Sequence, residues 1–195
     1  MITKLPLFPL GLVLLPYEML PLHIFEPRYK AMVKNAIEDD IPFGIILKEG
    51  KDIFSKGCKV KITKNFKKHE TGEYDIIVKG LDIFNVIGTE MEGDTVIGNV
   101  NYIPMNLDAD QLLIQELEDS YLKLILRLGI DSDLEPHMNK KISYEFLQGL
   151  QLPISIKKDL IDMDSEPNRL VFINTIFNNV LTQPLKPENR NIPAA

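Results

Sequence analysis

Cysteine is nearly absent from this 195-residue chain, where Cys58 stands alone. A single thiol closes no internal disulfide, so nothing points to an oxidising compartment and a cytoplasmic location is expected. Histidine is scarce: His23, His69 and His137 lie far apart, and none is spaced from Cys58 as the ligands of a structural zinc are, so no metal or cofactor is expected. Basic charge is outnumbered, with 22 Lys and Arg against 28 Asp and Glu and a formal charge of −6, which argues against a general nucleic-acid binder. Also missing is an apolar run of the roughly twenty residues that cross a bilayer. Glu18, His23 and Glu26 break the strongest stretch, so no membrane partner is expected. The same stretch is a poor secretory leader, because Pro6, Pro9 and Pro16 interrupt it and no small-residue cleavage site follows. No internal repeat or low-complexity run is present.

What remains is ordinary globular composition, 45% hydrophobic and 26% charged, in a chain long enough to bury a real core. Residues Leu5 to Tyr29 concentrate five prolines in strongly apolar sequence. Proline fixes φ and removes a donor, so this spacing predicts short extended pieces separated by bends, with proline at strand starts or edges. Pro27 then opens a helix whose Tyr29, Met32, Val33, Ala36 and Ile37 share one face, ending near Asp39-Asp40. Phe43 to Leu47 reads as a short buried strand, with a turn at Gly50. Cys58, Val60 and Ile62 alternate with Lys59, Lys61 and Thr63, and Tyr74, Ile76 and Val78 alternate similarly after a turn at Glu70-Thr71-Gly72-Glu73, which predicts a hairpin. Gly80-Leu81-Asp82 predicts a bulge, and Val96 to Ile103 a last strand.

The second half reads as helices. Asp108 is the expected cap of a helix carrying Leu112, Leu113, Leu117, Tyr121, Leu124, Ile125 and Leu128 on one stripe, and Gly129 its end. Further helices are expected over Asn139 to Leu150, Ser155 to Ile161 with Ser155 as cap, and Glu166 to Leu181. The domain reading is a β-rich part over 1–105, a helical part over 106–182, and a proline-containing tail over 183–195 that is expected to be mobile.

The search for chemistry is thin. Gly44, followed after five residues by Gly50-Lys51-Asp52, fails as a P-loop, which needs four intervening residues and a Ser or Thr after the lysine. Cys58 falls on the apolar face of its strand and reads as a core residue. Ser155, with Lys157 and Lys158, has the ingredients of a Ser-Lys hydrolase, yet helix capping explains it without catalysis. Asp39-Asp40 and the Asp162, Asp164 pair read as solvated turns. His23, in an apolar run, is expected as a buried imidazole making a structural hydrogen bond, with His69 and His137 in turns. Lys56, Lys59, Lys61, Lys64, Lys67 and Lys68 form a basic cluster, with Phe66 as a stacking ring. As an RNA surface it is the alternative to a solvated strand edge.

One resemblance organises these readings. Pro21-Leu22-His23-Ile24-Phe25-Glu26-Pro27-Arg28-Tyr29 resembles the signature opening of the Lon protease N-terminal domain family. Further matches follow in the family's order: Phe43-Gly44-Ile45-Ile46-Leu47, Gly57-Cys58-Lys59-Val60-Lys61-Ile62, Gly72-Glu73-Tyr74-Asp75-Ile76, Leu150-Gln151-Leu152-Pro153, and Asn168-Arg169-Leu170. The likeness covers roughly residues 5 to 181 and suggests the stand-alone form of the domain, which the family also takes in small bacterial proteins consisting of this domain alone. It implies an α+β fold in which a PUA-like β pseudobarrel with one helix is followed by a helical bundle. Full-length members add an ATPase and a Ser-Lys peptidase. Neither fits in 195 residues, so the resemblance implies a non-catalytic module that binds unfolded or partner polypeptide. An RNA-binding protein and a hydrolase of unknown type are the alternatives. Pro21, His23, Phe25, Glu26, Pro27, Arg28 and Tyr29 are taken as architecture bordering a cleft, with Glu26 and Arg28 as a fixed polar pair at the first helix.

Overall fold

The computed structural model describes residues 1–129 and 133–184, apart from the side chains of 64–66. From residue 185 onward the expected tail lies outside the described residues. Six strands make one sheet: β1 (Ile2–Leu10), β2 (Met19–Ile24), β3 (Phe43–Glu49), β4 (Asp52–Lys68), β5 (Tyr74–Glu92) and β6 (Thr95–Tyr102). Their order is β2-β5-β4-β3-β1-β6, and an additional β5–β6 pairing closes the last five into a ring, with β2 added outside it along β5. This is the expected pseudobarrel. Closure is possible because β5 is long: Tyr74 to Lys79 pairs with β2, and Phe84 to Glu92 pairs with β6.

The prolines follow the pairing. Pro6 sits opposite Ile97 before β1 meets β3 at Leu7, and Pro9 sits opposite Ile46 after β1 has left β6. Each therefore occupies a stretch where β1 has one neighbour, so its missing donor interrupts no ladder on the other side. The expected bulge is present. Cys58 pairs with Ile83 and Val60 with Gly80, so Leu81 and Asp82 together stand opposite the single residue Lys59, one residue more on β5 than on β4. Glycine is required at Gly80, because an added Cβ would strike the carbonyl oxygen of Leu15.

Three apolar clusters form. Leu5, Leu7, Ile46, Phe84 and Val100 fill the ring interior. Helix α1 (Pro27–Glu38) lays Tyr29, Met32, Val33 and Ala36 against Phe8, Phe43 and Val60, as the helical spacing predicts. The largest cluster joins Val13, Leu15, Leu47 and Ile83 of the strand region to Tyr121, Phe146, Leu160 and Phe177 of the helices.

Those helices are α2 (Gln111–Leu128), α3 (Ile154–Asp162) and α4 (Glu166–Thr182). Gly129 ends α2 in the left-handed conformation at φ 62°, as expected. The cap is Asp110, whose carboxylate accepts from the Leu112 amide at 2.9 Å. Asp108 is not the cap, and its own amide is taken by Asn106 Oδ1. Nor is Ser155 a cap: the Pro153 carbonyl accepts from the Lys157 amide at 3.1 Å, so α3 starts one residue before Ser155. The helix expected over Asn139 to Leu150 is a 3-10 turn, Ser143–Leu147. Carboxylates take the donors that a helix would use: Glu145 accepts from the amides of Lys141 and Ile142, and Glu166 from that of Ser143.

Glu166, Arg169 and Ser143 are buried together. Glu166 Oε2 accepts from Arg169 Nε at 3.0 Å, Arg169 Nη2 at 2.7 Å and the Ser143 hydroxyl at 2.8 Å. The guanidinium also donates to the carbonyls of Met163 at 2.6 Å and Asn106 at 3.0 Å. One ion pair thus ties the strand-to-helix connection, the α3–α4 turn and the 3-10 turn to α4.

Candidate functional site

Between the strand region and the helices runs an open groove of about 850 Å³. Leu12, Leu14, Met19 and Leu20 line it from one side, Leu150 and Leu152 from the other. Met19 is 52% exposed, and Leu12, Leu20, Leu150 and Leu152 are half-buried, so the walls offer apolar surface to solvent. Met19 and Leu20 belong to β2, whose only strand partner among the described residues is β5. The groove wall therefore includes a strand with one open edge.

Polar contacts hold this shape. Lys157 of α3 bonds Glu18 at 2.6 Å, and the other oxygen of Glu18 accepts from the Leu15 amide at 2.8 Å. Both side chains are mostly buried, at 16% and 12% exposure, which makes this pair stiffer than a surface ion pair. Tyr17 turns the chain at φ 67°, its amide donating to the Gly80 carbonyl and its ring lying 5.4 Å from the Lys79 ammonium. Gln148 Nε2 donates to the Tyr17 carbonyl at 3.4 Å, bridging the two walls. Sequence reasoning did not single out Tyr17 or Gln148, and it met Glu18 only as a break in the apolar run and Lys157 only beside Ser155, neither as a wall of a groove. The Pro16-Tyr17-Glu18 break in the apolar run was the available signal, but its partners are more than a hundred residues away.

The signature residues divide. Tyr29 is buried on Phe8 with ring centroids 4.1 Å apart, and Pro27 occupies the first turn of α1. Glu26 holds the cap position with extended backbone but makes no cap bond. It pairs instead with Arg28 at 2.7 Å, and the Arg28 guanidinium lies 4.6 Å from the Tyr29 ring centroid. Both charges stay about 40% exposed. Pro21 and His23 line a separate cavity of about 710 Å³, and Phe25 is 59% exposed. His23 corrects the expectation of burial: half-exposed, it bonds Asp75 Oδ1 at 2.7 Å. Strand alternation explains this, since Ile24 takes the inward position and His23 the outward one.

The lysine cluster is broken up by carboxylates. Lys56 pairs with Asp162 at 3.1 Å, Lys59 with Asp82, and Lys61 with Asp40 at 3.4 Å. Lys67 lies in register with Asp75, and Lys68 lies 5.6 Å from the Tyr74 ring. The side chains of Lys64 and Phe66 are outside the described set. Cys58 is fully buried, and burial pushes its thiol well above the ordinary range, which removes the thiolate that nucleophilic chemistry requires. Ser155 is exposed, while Lys157 and Lys158 are engaged by Glu18 and Glu49. Among the described residues no helix is long and apolar enough to cross a membrane.

Comparison with known proteins agrees with this architecture. The Lon N-terminal domain protein from Xanthomonas campestris superposes with a TM-score of 0.68 at 23% identity, covering 93% of this chain and 99% of that one. The N-terminal domain of the Mycobacterium avium complex Lon protease gives 0.71 at 13% identity, covering 91% and 99%. In sequence, Lon protease 2 of Myxococcus xanthus is 25% identical over 129 residues, which is 62% of this chain but only 16% of that protease. Residues 4–178 match the ATP-dependent protease La (LON) substrate-binding domain, and the chain belongs to that family.

Proposed function

We propose that this protein is a non-catalytic recognition module that binds unfolded or partly unfolded polypeptide in the groove between its strand region and its helices. The observation that carries this reading is the groove itself: solvent-facing Met19, Leu20, Leu150 and Leu152 on walls pinned by the Lys157–Glu18 pair. Apolar side chains of an extended segment would be desolvated there, and the free edge of β2 offers backbone groups for strand addition. Membership in a substrate-binding family supports the reading. Because the contacts are apolar and main-chain, selection would follow exposed hydrophobic sequence rather than one motif.

Fluorescence anisotropy with a labelled, permanently unfolded model polypeptide tests it. Saturable binding to the unfolded chain but not to its folded form is expected. Met19→Asp and Leu152→Asp should each weaken it about tenfold, because an unpaired carboxylate would be desolvated in the contact. Absence of binding, or full binding by both variants, would refute the groove assignment. The purified protein should leave casein intact with or without ATP.

A further inference from the structure

On the β2–β5 face, apart from the groove, two imidazoles and a carboxylate converge. Asp75 Oδ1 lies 2.7 Å from His23 Nδ1, and its Oδ2 lies 2.6 Å from His69 Nε2. The potential ligand atoms of all three residues lie within 4.8 Å of one another. We propose that His23, His69 and Asp75 form a surface site for a borderline divalent transition-metal ion, of which Zn²⁺ is the representative.

Each ligand is placed by backbone. His23 and Asp75 are opposite one another in the antiparallel β2–β5 register. His69 is fixed by the hairpin turn, where its amide donates to the Glu73 carbonyl at 2.8 Å and its carbonyl accepts from Gly72 at 2.9 Å. Gly72 sits at φ 80°, which closes this turn without strain. Two imidazoles and one carboxylate are the donor set of open zinc sites, in which water completes the coordination. Donor atoms around a tetrahedral ion stand about 3.3 Å apart, so small side-chain rotations would convert the present contacts into ligation. With Nδ1 of His23 as the ligand, Nε2 is left 3.6 Å from Glu73 Oε2, a carboxylate that a small side-chain rotation would bring into hydrogen-bond reach of the imidazole. The cavity that His23 and Asp75 line provides an entry path. Lys67 lines the same cavity, and the ligands are 30–52% exposed, so affinity in the micromolar rather than nanomolar range is expected. Hard Mg²⁺ retains its waters and would be refused.

Isothermal titration of protein freed of any histidine tag, with Zn²⁺ and separately with Mg²⁺, tests this. One Zn²⁺ per chain and no Mg²⁺ heat are expected. His23→Gln and His69→Gln should each weaken Zn²⁺ by about tenfold or more, while His137→Gln leaves it unchanged. His69 precedes the turn and lies outside the ladder, so His69→Gln stays informative if changes in β2 unfold the sheet. X-ray absorption of the zinc complex should show two imidazoles and oxygen ligands. No saturable binding below about 100 µM, or affinity that survives His69→Gln with Asp75→Asn, would overturn the site.

Discussion

Replacing Arg169 by methionine removes a buried guanidinium while keeping most of its apolar stem. Arg169 is 2% exposed and Glu166 fully buried, so Arg169→Met strands the Glu166 carboxylate without its cation and leaves the carbonyls of Met163 and Asn106 without that donor. Breaking one partner of a buried pair typically costs about 3–5 kcal/mol. In a domain of this size each kcal/mol shifts Tm by about 2–4 °C, so a fall of roughly 6–20 °C is expected. The double variant Glu166→Gln with Arg169→Met should recover part of this, because glutamine is neutral and its carbonyl still accepts from the Ser143 amide that Glu166 holds at 2.5 Å. Urea unfolding followed by circular dichroism, run as a double-mutant cycle, reads the coupling directly, and about 2 kcal/mol or more is expected. A loss below about 1 kcal/mol for Arg169→Met, or a double variant as unstable as the sum of the singles, would refute the reasoning.

Gly80→Ala should destabilise by about 1–3 kcal/mol in chemical denaturation, because the added methyl meets the Leu15 carbonyl oxygen; a loss under about 0.5 kcal/mol would show that the turn yields. Asp110→Ala should cost about 1 kcal/mol and Asp108→Ala nearly nothing, and equal losses would contradict the assigned cap of α2. Ellman's reagent should find no reactive thiol in the native protein at pH 8 and one in denaturant; stoichiometric native labelling would contradict the burial of Cys58.

Local sequence carried most of the fold. Pro27 with the Tyr29, Met32, Val33 and Ala36 stripe specified α1, and alternation at Cys58, Val60 and Ile62 specified the hairpin, since both patterns are written in neighbouring residues. Failures came where distant groups compete for the backbone. Ser143 gives its amide to Glu166, 23 residues away, so helical periodicity between Asn139 and Leu150 misleads. The residues of the groove were not legible, because its walls at 12–20 and 148–157 meet only in the fold. The ion pairs of the lysine cluster were hidden for the same reason: the cluster read as a solvated strand edge with an RNA surface as the alternative, and its carboxylate partners Asp40, Asp82 and Asp162 are remote in sequence. His23 was misplaced because its apolar neighbours outweighed the strand period that turns it outward.

The most direct test of polypeptide recognition is a ¹⁵N heteronuclear NMR titration of the protein with an unlabelled, permanently unfolded chain. Amide shifts should concentrate at Leu12, Tyr17, Met19 and Leu20 on one wall and at Gln148, Leu150 and Leu152 on the other, saturating together. An unperturbed spectrum at saturating ligand, or shifts confined to surfaces remote from those residues, would contradict the assignment of the groove as the binding site.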